Sequence, residues 1–149
     1  MPPHHYVMPL AATEGTHSYF DHDADIGVIG RGKTLEEAFV AAARATFAIM
    51  TDIAAVRHSD SVPLEFEESD PELALACWLN LLLGSARERG MVFGQFWLQR
   101  DGARWHGGAS GERWRPEHER GVEVKGATLT ALAVKQLDDG WEARCVVDV

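Results

Sequence analysis

The sequence predicts an α+β fold in a single domain, two main helices packed on a largely antiparallel β-sheet, and three observations carry that prediction. Two stretches, near residues 35–50 and 71–89, repeat apolar residues at helical spacing between recognisable start and stop signals. Most of the other apolar residues recur with a period of two. Asp101-Gly102 and Asp139-Gly140 stand between alternating segments, the turn chemistry of hairpins that join antiparallel neighbours. With 149 residues, 46% of them hydrophobic, the chain can bury one core and is short of two.

Residues 1–18 hold Pro2, Pro3, His4, His5, Gly15 and His17 without a basic region followed by an apolar run. They are expected to form a flexible leader, with neither signal peptide nor membrane span, ahead of a domain over 19–149. Tyr19 and Phe20 open a strand that is interrupted or ended at Asp21-His22-Asp23-Ala24-Asp25, and Ile26 to Gly30 supply small and β-branched residues after it. Arg31-Gly32-Lys33 reads as a turn. Thr34 and Glu37 fit a capping box that starts a helix at Leu35. Leu35, Ala38, Phe39, Ala42, Ala45, Thr46 and Ile49 keep helical spacing to an end near Met50–Asp52, where Asp52 suits a turn.

Val62, Leu64 and Phe66 alternate with Pro63, Glu65 and Glu67, which predicts a half-exposed strand at a sheet edge. Asp70-Pro71 caps a second helix, whose stripe of Leu75, Trp78, Leu79, Leu82 and Ala86 ends at Gly90. Leu81 and Leu83 widen that stripe, so this helix is expected to be the central one, buried on two sides. Strands follow over Val92–Gln99 and Ala103–Ser110, then a polar loop from Ser110 to Gly121 carrying Glu112, Arg113, Arg115, His118 and Arg120. A loop of that length needs a functional or disordered explanation. A last hairpin pairs Val122–Leu137 with Trp141–Val149. Cys77 and Cys145 fall in apolar patterns on a helix and a strand, as free thiols of a cytosolic protein do.

The charge balance narrows the function. There are 14 Lys and Arg against 23 Asp and Glu, a net of -9, the wrong sign for gripping phosphate backbones over a broad surface. The densest chemistry is Asp21-His22-Asp23-Ala24-Asp25. In one extended run, Asp21, Asp23 and Asp25 would share a face, and three ionised carboxylates so close repel one another unless a cation lies between them. The run is not an EF-hand, because Ile26 stands where that loop needs glycine and Gly32 where it needs glutamate. Asp148, on the less apolar face of the last strand beside the oxygens of Val149, is the type of second-strand partner Asp25 would need for calcium or magnesium. Lys125 taken alone is a surface lysine. Two other classes stay open: a metal-dependent phosphohydrolase using the Asp21–Asp25 carboxylates with His22 as acid or base, and a small RNA-binding module using Arg104, Arg113, Arg115, Arg120 and Lys125.

Tyr19 to Gly27, Gly32 to Phe39 and Met50-Thr51-Asp52, with His118, Glu123-Val124-Lys125 and Val147-Asp148-Val149, resemble the archease family over nearly the whole chain from about Tyr19. The resemblance implies a non-enzymatic protein, with no catalytic residue, that activates an RtcB-type, GTP-dependent RNA ligase of tRNA splicing and RNA repair. It would promote guanylylation and multiple turnover of the ligase in the cytoplasm, with no stable nucleic-acid binding of its own and no membrane. It also implies a divalent ion, Ca²⁺ ahead of Mg²⁺ or Mn²⁺, on Asp25, Asp148 and Val149. Lys125 and His118 would be functional or partner-binding residues, with Asp21, His22, Asp23 and Asp52 flanking the ion's ligands. Two departures stand out. Asp23 replaces the family's usual threonine, and Gly126-Ala127-Thr128-Leu129-Thr130 lacks its usual aromatic and histidine.

Overall fold

A computed structural model describes residues 16–22 and 25–149, with only the backbone of Asp21 and His22. Most of residues 1–18 therefore lies outside the described residues, but Thr16–Ser18 begin the first strand and are not leader. In chain order the elements are β1 (Thr16–His22), β2 (Asp25–Gly32), α1 (Leu35–Met50), a 3-10 turn (Ile53–Ala55), β3 (Asp60–Glu67), α2 (Pro71–Arg89), β4 (Met91–Asp101), β5 (Arg104–Arg113), β6 (Gly126–Ala127), β7 (Ala133–Leu137) and β8 (Gly140–Asp148). The architecture is α+β, with every strand pairing antiparallel.

The strands form two sheets. One runs β1-β2-β8, with β6 and β7 following one another along the far edge of β8, and the other runs β3-β5-β4. Pro63 sits on the edge strand β3, the position at which a sheet tolerates a residue without an N–H. α1 lies between the sheets, against β1, β2 and β8 on one side and β4 on the other. Twelve of its 16 residues are buried, against eight of 19 in α2, so α1 is the central helix and the expectation for α2 is corrected. Leu83 does join the core, but Leu81 is 38% exposed. The sequence reading missed this because the alanines of α1 look like weak core residues. Their small size is what allows sheets to approach from both sides.

Local signals act as expected at the helix ends. Thr34 Oγ1 accepts from the Glu37 N–H at 3.1 Å, while the Glu37 carboxylate accepts from the Lys33 N–H at 2.8 Å, one residue earlier than in the usual capping box. Asp70 caps α2 by accepting from the Glu72 N–H, and Gly90 ends it in the left-handed conformation, φ 65°. Across the core, Trp105 of β5 stacks between Phe39 of α1 at 5.1 Å and Phe66 of β3 at 5.6 Å. The buried indoles keep their N–H groups satisfied, Trp78 on Phe39 O and Trp105 on Glu68 O.

The C-terminal third departs most from expectation. Val122–Leu137 is not one strand: residues 122–125 are irregular, β6 is two residues long, and a turn intervenes before β7. β5 continues to Arg113, so the polar loop starts at Trp114.

Candidate functional site

The acidic stretch is a hairpin. His22 stands opposite Asp25 and Asp21 opposite Ile26, so the chain reverses between His22 and Asp25. The alternation expected along one extended run, with Asp21, Asp23 and Asp25 on a common face, does not carry through. Asp23 lies outside the described residues.

β2 and β8 decide what Asp25 meets. Their ladder pairs Gly32 with Trp141 at one end and Ile26 with Val147 at the other, and one further step in that register aligns Asp25 with Asp148. Directly opposed residues of an antiparallel pair share a face, with Cβ atoms about 5 Å apart, and like charges so placed are destabilising. Asp148 is exposed and Asp25 half-buried, while Val149 packs its side chain onto the core. A third strand closes the site, because β6 sets Gly126 opposite Asp148 and the Lys125 N–H donates to the Asp148 main-chain O at 2.7 Å. Lys125, exposed, therefore stands at the same end of the sheet as Asp25, Asp148 and Val149.

α2 holds this segment through two residues that the sequence reading missed. The Asn80 carboxamide accepts from the Ala127 N–H at 2.8 Å and donates to Ala127 O at 3.2 Å, as a neighbouring strand would. Arg87 Nη2 donates to Lys125 O at 2.7 Å. Neither residue carries a local signal, since both occur on a helix face that reads as ordinary solvated surface.

His118 and Asp52 are placed elsewhere. The His118 side chain, 2% exposed, has Nε2 2.9 Å from Glu112 Oε2 and accepts from the Arg115 N–H at Nδ1. Glu112 also accepts from the Arg115 guanidinium at 2.9 Å and from the Arg57 N–H at 2.8 Å. Arg115 first, then the Arg57 N–H, and to a smaller extent His118 hold the Glu112 carboxyl down at about 2 against the effect of burial. The loop after β5 is thus built around an internal ion cluster. Gly121 and Val122 N–H groups donate to Met50 O and Ile49 O, and Thr51 Oγ1 donates to Glu119 O, so the same loop satisfies the last turn of α1. Asp52 accepts from the Ala54 N–H as cap of the 3-10 turn.

Among the described residues no three His, Cys, Asp or Glu side chains converge on one point. Two aspartates with main-chain oxygens of Val149 form a smaller, all-oxygen set, which suits a hard cation and offers nothing to a soft one. That donor set and the opposed charges fit a divalent ion of the calcium or magnesium type.

Comparison with known proteins identifies the family of the chain. The model of the archease protein family matches residues 17–149. This chain belongs to the archease family. It is 39% identical over 134 residues to an archease of Sulfolobus acidocaldarius and 38% over 137 residues to that of Pyrococcus furiosus, covering 88% of this chain and 96% of each relative. The solution structure of protein 1598 of Methanobacterium thermoautotrophicum superposes with a TM-score of 0.78 at 31% identity, over 89% of this chain and 98% of that one. An archease from Thermotoga maritima, described as a possible chaperone, shares the fold with a TM-score of 0.63 at 18% identity, over 87% of this chain and 94% of that one. The match begins within β1, so the archease domain includes the hairpin that carries Asp25.

Proposed function

We propose that this archease is a non-enzymatic protein cofactor of an RtcB-type, GTP-dependent RNA ligase, which it engages with the end of the sheet formed by Asp25, Asp148, Val149 and Lys125. The observation that supports this reading is the β2–β8 register, whose last pair, Ile26 with Val147, leaves Asp25 and Asp148 as the next residues of the two strands at the end of the sheet that carries the exposed Lys125. Two like charges with no basic side chain hydrogen-bonded to either among the described residues invite a cation, with Ca²⁺ as the first choice and Mg²⁺ or Mn²⁺ as others. Asp25 and Asp148 would hold it, and Val149 would add main-chain oxygen. When bound, the ion supplies a fixed positive charge that an acidic or phosphate-bearing partner surface can meet.

The chain's own part is positioning. Asn80 and Arg87 fix the backbone of Lys125 and Ala127, so the lysine is presented at a set distance from the aspartates. The surface has the character of a docking site: exposed, charged and held by main-chain hydrogen bonds. No described helix is long and apolar enough to cross a membrane, and the reading places the protein with its ligase in the cytoplasm.

The test is ligase turnover on broken RNA with this protein added. Asp25→Asn, Asp148→Asn and Lys125→Ala should each lower the stimulation, while the single-turnover ligation of a pre-guanylylated ligase stays as it is. Full stimulation by both aspartate variants would end the reading. Phosphatase or nuclease activity with Mg²⁺ or Mn²⁺, abolished by the same variants, would establish the hydrolase alternative instead.

A further inference from the structure

The surface beside Lys125 continues past the aspartate end of the sheet. Arg87, which donates to Lys125 O, lines two neighbouring depressions that also share Gly90 and Met91. The first is a pocket of about 440 Å³ between the last turns of α2 and the loop after β5, within the size range of binding pockets. Leu83 and Ala86 of α2, Met91 of β4, Met50 of α1, and Trp114 and Val122 of the loop line it. Main-chain hydrogen bonds hold its walls: the Gly121 and Val122 N–H groups donate to the end of α1, and the Trp114 N–H donates to Gly90 O at 3.1 Å. The pocket is therefore preformed. The second depression, of about 620 Å³, is lined by Arg89 and Arg113.

Charge sets this surface apart. The two depressions carry Arg87, Arg89, Arg113 and Arg120 against Asp60, Glu88 and Glu123, a local excess of positive charge on a chain whose net charge is -9. On other faces Arg31 and Arg144 share Glu142, Arg104 meets Glu67, and Arg115 meets Glu112. None of the four arginines around the depressions has a carboxylate partner among the described residues. The C-terminal end of α2 accounts for Arg87 and Arg89, because the helix dipole favours cations there. It does not account for Arg113 at the end of β5 or Arg120 of the loop.

We propose that these depressions take an acidic segment of the partner ligase, with one bulky apolar side chain in the pocket and flanking carboxylates on Arg89, Arg113 and Arg120. The assignment rests on the ligase reading and extends the docking surface past Lys125. An apolar anchor in a desolvated pocket, ringed by charge complementary to the partner, is how protein interfaces concentrate affinity and choose partners. A protein segment fits this surface better than a nucleic acid. The Arg120 guanidinium lies over the Trp114 ring, 3.8 Å from its centroid, so that face is closed to a base, and a polyanion would also meet the acidic remainder of the molecule.

The full chain is titrated onto the cognate RtcB-type ligase, read by biolayer interferometry at about 50 mM and about 300 mM salt. Arg89→Ala combined with Arg113→Ala should weaken binding about tenfold at the lower salt and much less at the higher, because rim charges act through salt-sensitive association. Met50→Gln, close in length to the native side chain, sets a carboxamide in the apolar pocket and should weaken binding about tenfold at both. Leu137→Gln changes an exposed leucine at the far end of the β2–β8 ladder and should bind as wild type does. The variants should melt within about 5 °C of wild type, and if Met50→Gln melts lower, the arginine pair on the exposed surface decides alone. Binding that falls with Asp25→Asn but is equal to wild type in the arginine and Met50 variants overturns this assignment alone. No binding by the wild type overturns the ligase reading and this assignment with it. Single-stranded RNA bound by the chain alone, and lost in the arginine variant, would make the surface a nucleic-acid site and overturn the assignment too.

Discussion

Replacing Asn80 by alanine removes both hydrogen bonds that tie Ala127 to α2, at 2.8 and 3.2 Å. A net contribution of about 1 kcal/mol for each puts the local loss near 2 kcal/mol. Asn80 is exposed, so water can reach the freed Ala127 groups and no further penalty for buried, unpaired atoms arises. Alanine returns about 0.5 kcal/mol through helix propensity, so global stability falls by only about 1.5 kcal/mol, or roughly 3–6 °C in Tm. The larger effect is local: amide exchange at Ala127 should accelerate about thirtyfold while Val28, in the core strand β2, stays near wild type relative to the change in global stability. Asn80→Asp keeps the acceptor for the Ala127 N–H and loses the donor, so its exchange rate should fall between the two. If Ala127 exchange in Asn80→Ala stays within about threefold of wild type, the segment is not held by α2. If Asn80→Ala also leaves ligase stimulation untouched, positioning of Lys125 has no part in the function.

Three further outcomes are expected. Saturating Ca²⁺, about a hundred times Kd, should raise Tm by roughly 5–10 °C in calorimetry, and Asp25→Asn or Asp148→Asn should abolish that rise and melt higher than wild type in chelator, since each relieves the opposed charges. Gly30→Ala should destabilise by about 1–3 kcal/mol or more in urea, because the added Cβ would meet backbone atoms of Ala38 and Ala42 on α1, whereas in Gly27→Ala the nearest atoms belong to the movable ring of Phe20 and the cost should be smaller. Glu112 has its carboxyl depressed from the ordinary 4.5 to about 2, so its contribution is present above pH 4.5 and lost as pH falls toward 2. Glu112→Gln should therefore be less stable at neutral pH and show a shallower decline over that acid range, and an acid limb identical to wild type would contradict the ion cluster.

How much of this was legible in the sequence depended on how local each cause is. Thr34 and Glu37, Asp70 and Gly90, and the Asp-Gly turns act within four residues, and each marks its element in the sequence. The alternation of β8 put Asp148 on the less apolar face, and the archease resemblance joined it to Asp25. By contrast, a helix's burial depends on how many layers cover it, and no periodicity reports that for an alanine-rich segment such as α1. The polar stretch from Ser110 to Gly121 called for a functional or disordered explanation, because nothing local shows that Glu112, at the end of β5, and Arg115 and His118 of the loop satisfy one another inside the fold.

The sequence by itself determined the α+β class, the helix boundaries, the edge position of Pro63 and the acidic character of the Asp21–Asp25 run, because propensity, capping and side-chain period are properties of neighbouring residues. Only the tertiary structure decided that this run is a hairpin whose last residue, Asp25, stands with Asp148 just past the Ile26–Val147 end of the β2–β8 ladder. It also decided that Asn80 and Arg87 fix the backbone beside Lys125, and that Arg44 has no acidic partner among the described residues. Those are relations between distant segments, set by strand register and by the packing of α1 between two layers.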